Sequence, residues 1–343
     1  MPRVTLADVS RHAGVSRSTA SLVLNDSPTI PLSTKTRVRQ AMAELGYVYN
    51  RQAATLRNQK SMAIGLAVTE VSNPYFAELA MALDDAAYAN GYTVVVGYSR
   101  DDTERQDHLI STLLERGVDG LILLPAALSE ATSIDRLLAG SRTPLVLLAR
   151  HFNLAHDYVG ADNRTGGQLL GRHIQSIGAR TVALVGGPEY TSARVERTEG
   201  MKSVFDSAGI RLEPSTVLAS ETTPAGGAKA TAELLDSGIL PDVIVAYSDV
   251  IAGGIYAELH ARGLEPGRDI AVAGFDDIPG SAQMIPPLTT VATFPNKIGT
   301  ACAEMIFSRI ADPEPDNGHE HVLIEPRLRI RASTASWRPR TPS

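Results

Sequence analysis

One cysteine, Cys302, and one tryptophan stand in 343 residues, and aromatic residues make up only 5%. A single thiol excludes an internal disulfide and suits a reducing compartment. Set in a helical apolar stripe, Cys302 reads as a small core residue rather than a nucleophile. No run of 18 apolar residues occurs, so no helix of membrane-spanning length is expected. The opening Met-Pro-Arg-Val-Thr lacks the apolar run of a signal peptide, and the expectation is a cytoplasmic protein. H-E-x-x-H, paired cysteines and G-x-S-x-G are all missing. The eight histidines, among them His151, His156, His319 and His321, lack metal-ligand spacing and read as surface or loop residues. Gly186-Gly-Pro188 is a glycine-rich loop without the spacing that cradles phosphates. No enzyme chemistry, metal or cofactor is expected.

What is present begins at Thr5. Thr5 suits an N-cap, and Leu6, Val9, Ser10 and Ala13 give the spacing of a short helix with one apolar side. Gly14 permits the positive φ of a sharp turn, Val15 plugs that turn, and Ser16 caps a second helix. The second helix buries Ala20, Val23 and Leu24 and leaves Arg17, Ser18 and Ser21 outward. Two short helices around a glycine turn read as a helix-turn-helix, whose second helix meets base edges in the major groove. A bare helical hairpin with a solvated face is the competing reading. A third helix follows over residues 30–47, capped by Ser33 or Thr34 and ended by Gly46, with Val38, Ala41, Met42 and Leu45 as its apolar stripe. Residues 47–57 form a further short potential helix.

Charge supports the nucleic-acid reading. Residues 1–60 hold nine Lys/Arg against three acids; this stretch is +6 and the rest is −12, which together make the chain's −6. A basic module on an acidic body suits binding to a phosphate backbone.

The motifs DVSRHAGVSRSTASLVLN, AMAELGY and NRQAATLR stand in an order and spacing that resemble the headpiece and hinge of the LacI/GalR family of bacterial transcription regulators. The resemblance implies a hinge helix in which Asn50 and Ala53 meet DNA and Leu56 wedges into the minor groove, where an apolar wedge unstacks and bends the duplex. Packing between two hinges is a compatible role for Leu56. Arg17 is the expected base reader, with Ser18 and Ser21 as smaller contacts and Thr5, Ser16, Asn25 and Thr34 on phosphates. Leu22 occupies a position that is commonly arginine in the family, so a changed operator preference is expected.

From residue 60 strands alternate with helices. Strand-like runs lie at 62–68, 92–98, 120–124, 144–148, 181–185, 215–218, 243–246 and 270–274, and the helices between them imply parallel sheets covered on both faces. This resembles the periplasmic-binding-protein-like core of the same family. The fold expected is therefore an all-α headpiece with hinge helix and an α/β core of two doubly wound parallel-sheet lobes. The boundaries expected are 1–59 for headpiece and hinge, 60–161 plus 292–321 for the first lobe, 162–291 plus 322–336 for the second, and 337–343 as a tail. The lobe crossings fall near Ala161–Asp162, Val291–Ala292 and His321–Val322.

A ligand cleft is expected at the strand carboxyl ends between the lobes. Tyr75 and Phe76 follow the first strand and face a ligand ring, or in the case of Phe76 pack on the next helix. Arg194 and Arg197, three apart at a helix start, are either a solvated pair or a clamp. The resemblance assigns the clamp to Arg197 and a sugar-accepting carboxylate to Asp276, and adds Ser248. Three positions depart from the family pattern: Ala149-Arg150 for aspartate-arginine, Ser248 for asparagine, and Glu221-Thr-Thr223 for an aromatic. Arg150 is either a structural residue or a contact for an acidic ligand. The expected protein is a homodimeric repressor of a near-palindromic DNA operator, responsive to a sugar or sugar derivative. An activator, an effector-independent regulator and a solute receptor are the alternatives; the last predicts a signal peptide and no headpiece. The tail after Trp337 lacks apolar heptads, which disfavours a tetramerising coiled coil.

Overall fold

A computed structural model describes residues 4–24, 26–47, 60–152, 155–312 and 318–339. Met1–Ser61 and Met62–Ser343 are two compact units. In the first, α1 (Leu6–His12) opens on a reciprocal cap: the Asp8 amide donates to the Thr5 hydroxyl and the Thr5 amide to the Asp8 carboxylate at 3.0 Å. Gly14 turns the chain at φ +63, and α2 (Arg17–Leu24) starts with the Thr19 amide donating to Ser16 Oγ at 3.1 Å. Val9, Ala13, Ala20, Val23, Val38 and Ala41 make the small core, with Val15 against it. Helix α3 spans Leu32–Leu45 and ends on Gly46 at φ 64. Its N-cap is Pro31, without any side-chain cap, instead of Ser33 or Thr34. With its fixed φ, Pro31 starts the helix two to three residues sooner than the hydroxyls suggested. Asp26, at φ 48 beyond α2, pairs with Lys35 and Arg39 of α3 at 3.0 and 2.9 Å, which pins the connection.

The second unit holds two six-stranded sheets. The first lobe contains β1 (Ala63–Val68), α4 (Pro74–Ala89), β2 (Thr93–Tyr98), α5 (Thr103–Glu115), β3 (Gly120–Leu123), α6 (Ala131–Leu138), β4 (Leu145–Leu148) and β5 (Asp157–Ala161). The second contains α7 (Asn163–Ser176), β6 (Val182–Val185), α8 (Ser192–Ala208), β7 (Val217–Leu218), α9 (Pro224–Asp236), β8 (Val243–Ala246), α10 (Asp249–Ala261), β9 (Ala271–Asp276) and β10 (Thr289–Ala292). Helix α11 (Pro295–Ala311) and β11 (His321–Ile324) return to the first lobe; β12 (Arg327–Arg329) and α12 (Ala332–Ala335) end in the second. The sheet orders are β11-β5-β4-β3-β1-β2 and β12-β10-β9-β8-β6-β7, parallel throughout except for β12 on β10. The central strands are buried along their whole length, as parallel strands covered on both faces must be.

Several expectations shift. Strands β5, β10, β11 and β12 were not legible as separate runs. The 215–218 strand shrinks to Val217–Leu218, because Pro214–Thr216 makes a tight 3-10 turn. The third crossing lies at residues 325–326 rather than at His321–Val322, since His321–Ile324 pairs in parallel with β5. The second lies at residues 293–294, past the end of β10. Trp337, placed in a tail, is 1% exposed in the core of the second lobe beside Leu170, Ile174 and Phe205. His156 lies in the loop before β5, buried and bonded to Asp135 at 2.9 Å, whereas His321 stands in β11 and not in a loop.

Two glycines let α7 and α8 touch backbone to backbone. A Cβ on Gly167 would meet the Arg197 carbonyl oxygen at 2.2 Å, and one on Gly200 would meet the Arg164 carbonyl oxygen at 2.2 Å. Gly253 in α10 is the contrast, its nearest neighbour a methionine methyl at 3.9 Å. Gly200→Ala should cost about 1–3 kcal/mol, because a clash with backbone outweighs the helix propensity gained. Gly253→Ala should be neutral or stabilising by about 0.5–1 kcal/mol. Urea unfolding of the two variants beside wild type reads both; equal effects would refute the close approach.

Candidate DNA-reading face and ligand cleft

In the first unit the buried positions of α2, Ala20 and Val23, leave Arg17 and Ser18 exposed, Ser21 half-buried and Leu22 41% exposed on the opposite side. Ser16 Oγ caps the helix and lies 2.7 Å from Ser18 Oγ, so both hydroxyls sit at the amino end of α2. Thr5 is held in its capping box, and Thr34 is half-buried in the first turn of α3. Asn25, Asn50, Ala53 and Leu56, with the expected hinge helix, lie outside the described residues.

In the second unit a cleft of about 780 Å³ opens between the lobes. Its walls come from loops that follow strand carboxyl ends in both sheets, where open parallel sheets place their crevices. Tyr75, Phe76, Arg150, Arg197, Ser248 and Asp276 line it. Arg194 does not: it borders a separate void of about 20 Å³ with Val185, Thr198 and Met201. Three helical residues turn about 300°, and the remaining 60° is enough to swing Arg194 out of the cleft.

Arg197 is the most constrained side chain in the site. Its Nε donates to Asn163 Oδ1 at 2.9 Å and its Nη1 to the Tyr247 carbonyl at 2.6 Å. The guanidinium stands over the Phe275 ring at 4.3 Å and the Tyr247 ring at 4.9 Å. Nη2 then faces Asp276 Oδ1 at 3.7 Å. Asp276 is 6% exposed and takes φ 111 at the end of β9, a conformation unusual for a residue with a Cβ. Burial pushes its carboxyl up to about 7, against Arg197 and a hydrogen bond from Asn73 of the other lobe. Ser248 is 2% exposed at the cleft wall with a hydroxyl that has no protein partner. A buried unpaired hydroxyl is a cost that a ligand hydrogen bond removes.

Arg150 is 8% exposed and donates from Nη1 to Asp101 at 2.7 Å and to the Pro125 carbonyl at 3.0 Å. Its charge is thus answered inside the protein, which favours its structural role over contact with an acidic ligand. Phe76 packs on the first-lobe core, edge-to-face with Tyr75 at 5.0 Å, and its residue also lines the cleft. Sequence reasoning missed Asn73, Asn163 and Tyr247, which follow strand ends with no local pattern of their own. It also missed a contact between the lobes: His151 Nε2 meets Glu196 Oε1 at 2.7 Å, and Asn163 joins Glu196 to Arg197.

Asp249 lies beneath this site. Its carboxylate accepts from Ser281 Oγ at 2.5 Å, Thr290 Oγ1 at 2.6 Å and the Ile278 amide at 3.1 Å. A Cβ on Gly274 would strike it at 2.2 Å, so the glycine makes room for the carboxylate that ties the loop after β9 to β10. Burial, reinforced by the Asp276 charge, pushes Asp249 up to about 8.

The family described as bacterial regulatory proteins, lacI family, matches residues 5–50, and the periplasmic binding proteins and sugar binding domain of that family match residues 61–332. The chain is 28% identical over 332 residues to the HTH-type transcriptional repressor PurR of Histophilus somni, covering 96% of this chain and 98% of the relative. A lac repressor dimer bound to operator and the anti-inducer ONPF is similar at a TM-score of 0.85 and 26% identity, over 97% of this chain and 99% of that one. A complex of the transcriptional regulator CelR with cellobiose is similar at 0.72 and 28% identity, over 96% and 100%.

Asp249 and Asp276 both hold protons more tightly folded than unfolded, so the stability they add is full below about pH 4 and is lost as pH rises through about 7 to 8. Unfolding free energy should fall by on the order of 4 kcal/mol between pH 6 and 9. Asp249→Asn should flatten that fall, as read by urea titration across the range.

Proposed function

The chain belongs to the LacI family of bacterial regulatory proteins, and we propose that it is a cytoplasmic transcription repressor, working as a homodimer on a two-fold-symmetric operator. Two copies of the basic headpiece would meet the two halves of such a site, as symmetric dimers do. Arg17, Ser18, Ser21 and Leu22 read bases, and Ser16, Thr5 and Thr34 set register on the phosphates together with Asn25. Asn50, Ala53 and Leu56 are assigned to the hinge contact in the minor groove on the family resemblance alone.

We read the cleft as a binding site for a neutral, hydroxyl-rich ligand, a sugar or sugar derivative, and not as a reaction centre. The observation that carries this is the convergence of Arg197, Asp276 and the unpaired Ser248 hydroxyl on one cleft walled by both lobes. A guanidinium and a carboxylate that face each other offer donors and acceptors with little net charge, and Tyr75 and Phe76 supply an apolar face. A ligand that touches both lobes biases their relative angle, which the headpiece senses through the intervening chain. The PurR relative is a repressor, and the CelR structure holds cellobiose, which supports both halves of the reading.

Genomic DNA recovered with the purified protein, at stated salt, should be enriched in one two-fold-symmetric site; no enrichment, with and without added sugars, contradicts the proposal. A thermal-shift screen of sugars, ribose and cellobiose included, then supplies a ligand. Arg197→Ala should weaken that sugar about 10- to 100-fold in calorimetry while leaving operator affinity in its absence near wild type. Sugar affinity should also rise with pH through about 7, because hydroxyls donate to the ionised Asp276 carboxylate. Asp276→Asn should remove that pH dependence.

A further inference from the structure

Leu22 is out of place by its chemistry. At 100° per residue, Arg17, Ser18, Ser21 and Leu22 fall within an arc of about 140° on α2, opposite the buried Ala20 and Val23. The arc is polar except for Leu22, whose side chain stands 41% exposed. The headpiece core is complete without it: Val9, Ala13, Ala20, Val23, Val38 and Ala41 close on one another. Among the described residues Leu22 is neither in that apolar cluster nor packed against it. It makes no hydrogen bond to any base and no ion pair to phosphate. In the major groove the apolar group on a base edge is the thymine 5-methyl.

We propose that Leu22 reads a thymine through its 5-methyl group, one in each half of the operator. This rests on the operator-binding reading above. The contact is apolar on both sides, so it selects thymine over cytosine without a hydrogen bond. It also differs in kind from Arg17, whose guanidinium suits a guanine edge or a phosphate.

The test uses the full-length protein and the site enriched from genomic DNA. Each symmetric pair of thymines is replaced in turn by deoxyuridine, which removes the methyl and nothing else. Burying one methyl is worth about fourfold in affinity, so one pair should weaken wild-type binding about fourfold per half-site and about fifteenfold together. Leu22→Ala should bind the unmodified site with a similar loss and show no further loss at that pair, while still responding to changes at other positions. Leu22→Ile, which keeps an apolar branch, should retain the deoxyuridine sensitivity. A thermal melt equal to wild type certifies that each variant is folded. If Leu22→Ala remains as sensitive as wild type at every pair, or no pair responds in wild type, the assignment is overturned while the regulator reading stands. If no symmetric site is enriched at all, the regulator reading fails and the assignment falls with it.

Discussion

The site rests on one steric permission: α7 and α8 approach until backbone meets backbone, which only Gly167 and Gly200 allow. Arg197 sits at that contact, its own carbonyl oxygen being the atom that excludes a Cβ on Gly167. The approach delivers Asn163 from the start of α7 to the Arg197 Nε, and the Phe275 and Tyr247 rings complete the slot. A guanidinium on a long stem would otherwise sample many rotamers and lose that entropy on binding. Here the fold has already removed the freedom, so the donors facing the cleft are set before any ligand arrives.

Around that fixed point the topology does the rest. Parallel strands must end at the same edge of their sheet, so both lobes present their loops to a common cleft. Three passages of the chain join the lobes, and His151 of the first lobe meets two side chains of the second, its ring on Glu196 and its amide donating to Ser192 Oγ. Glu196 also takes a hydrogen bond from Asn163, itself bound to Arg197. A ligand that displaces or strengthens the Arg197–Asp276 facing therefore acts on groups that already span the lobes. Beneath them, Asp249 keeps the loop after β9 in place with three donors, at the cost of a buried carboxyl that prefers its proton.

Much of this was legible in the residues. Thr5, Gly14, Ser16 and Gly46 announce the headpiece because caps and positive-φ turns are local events, set by one or two side chains. The central strands announce themselves as short apolar runs. Strands β10, β11 and β12 do not, since Thr289–Ala292 is rich in threonine and the two edge strands are half exposed; their pairing is decided by distant partners. The same distinction holds in the cleft. Arg197 and Asp276 were marked by the family resemblance, whereas Asn73, Asn163 and Tyr247 matter only because the fold gathers them. Arg194 shows the limit of periodicity, for a spacing of three shares a side of a helix without sharing a cavity. Nor does the sequence alone tell that Arg150 is spoken for by Asp101.

In the repressor proposed above, the cleft and the DNA-reading face bias one equilibrium. Linkage makes this measurable: the affinity of the sugar found by thermal shift is determined for the free protein and for the protein saturated with operator duplex. The two affinities should differ by about 5- to 150-fold, with operator affinity changed by the same factor when sugar is saturating. Equal sugar affinities in the two states would contradict it, and would leave two binding units that share a chain without communicating.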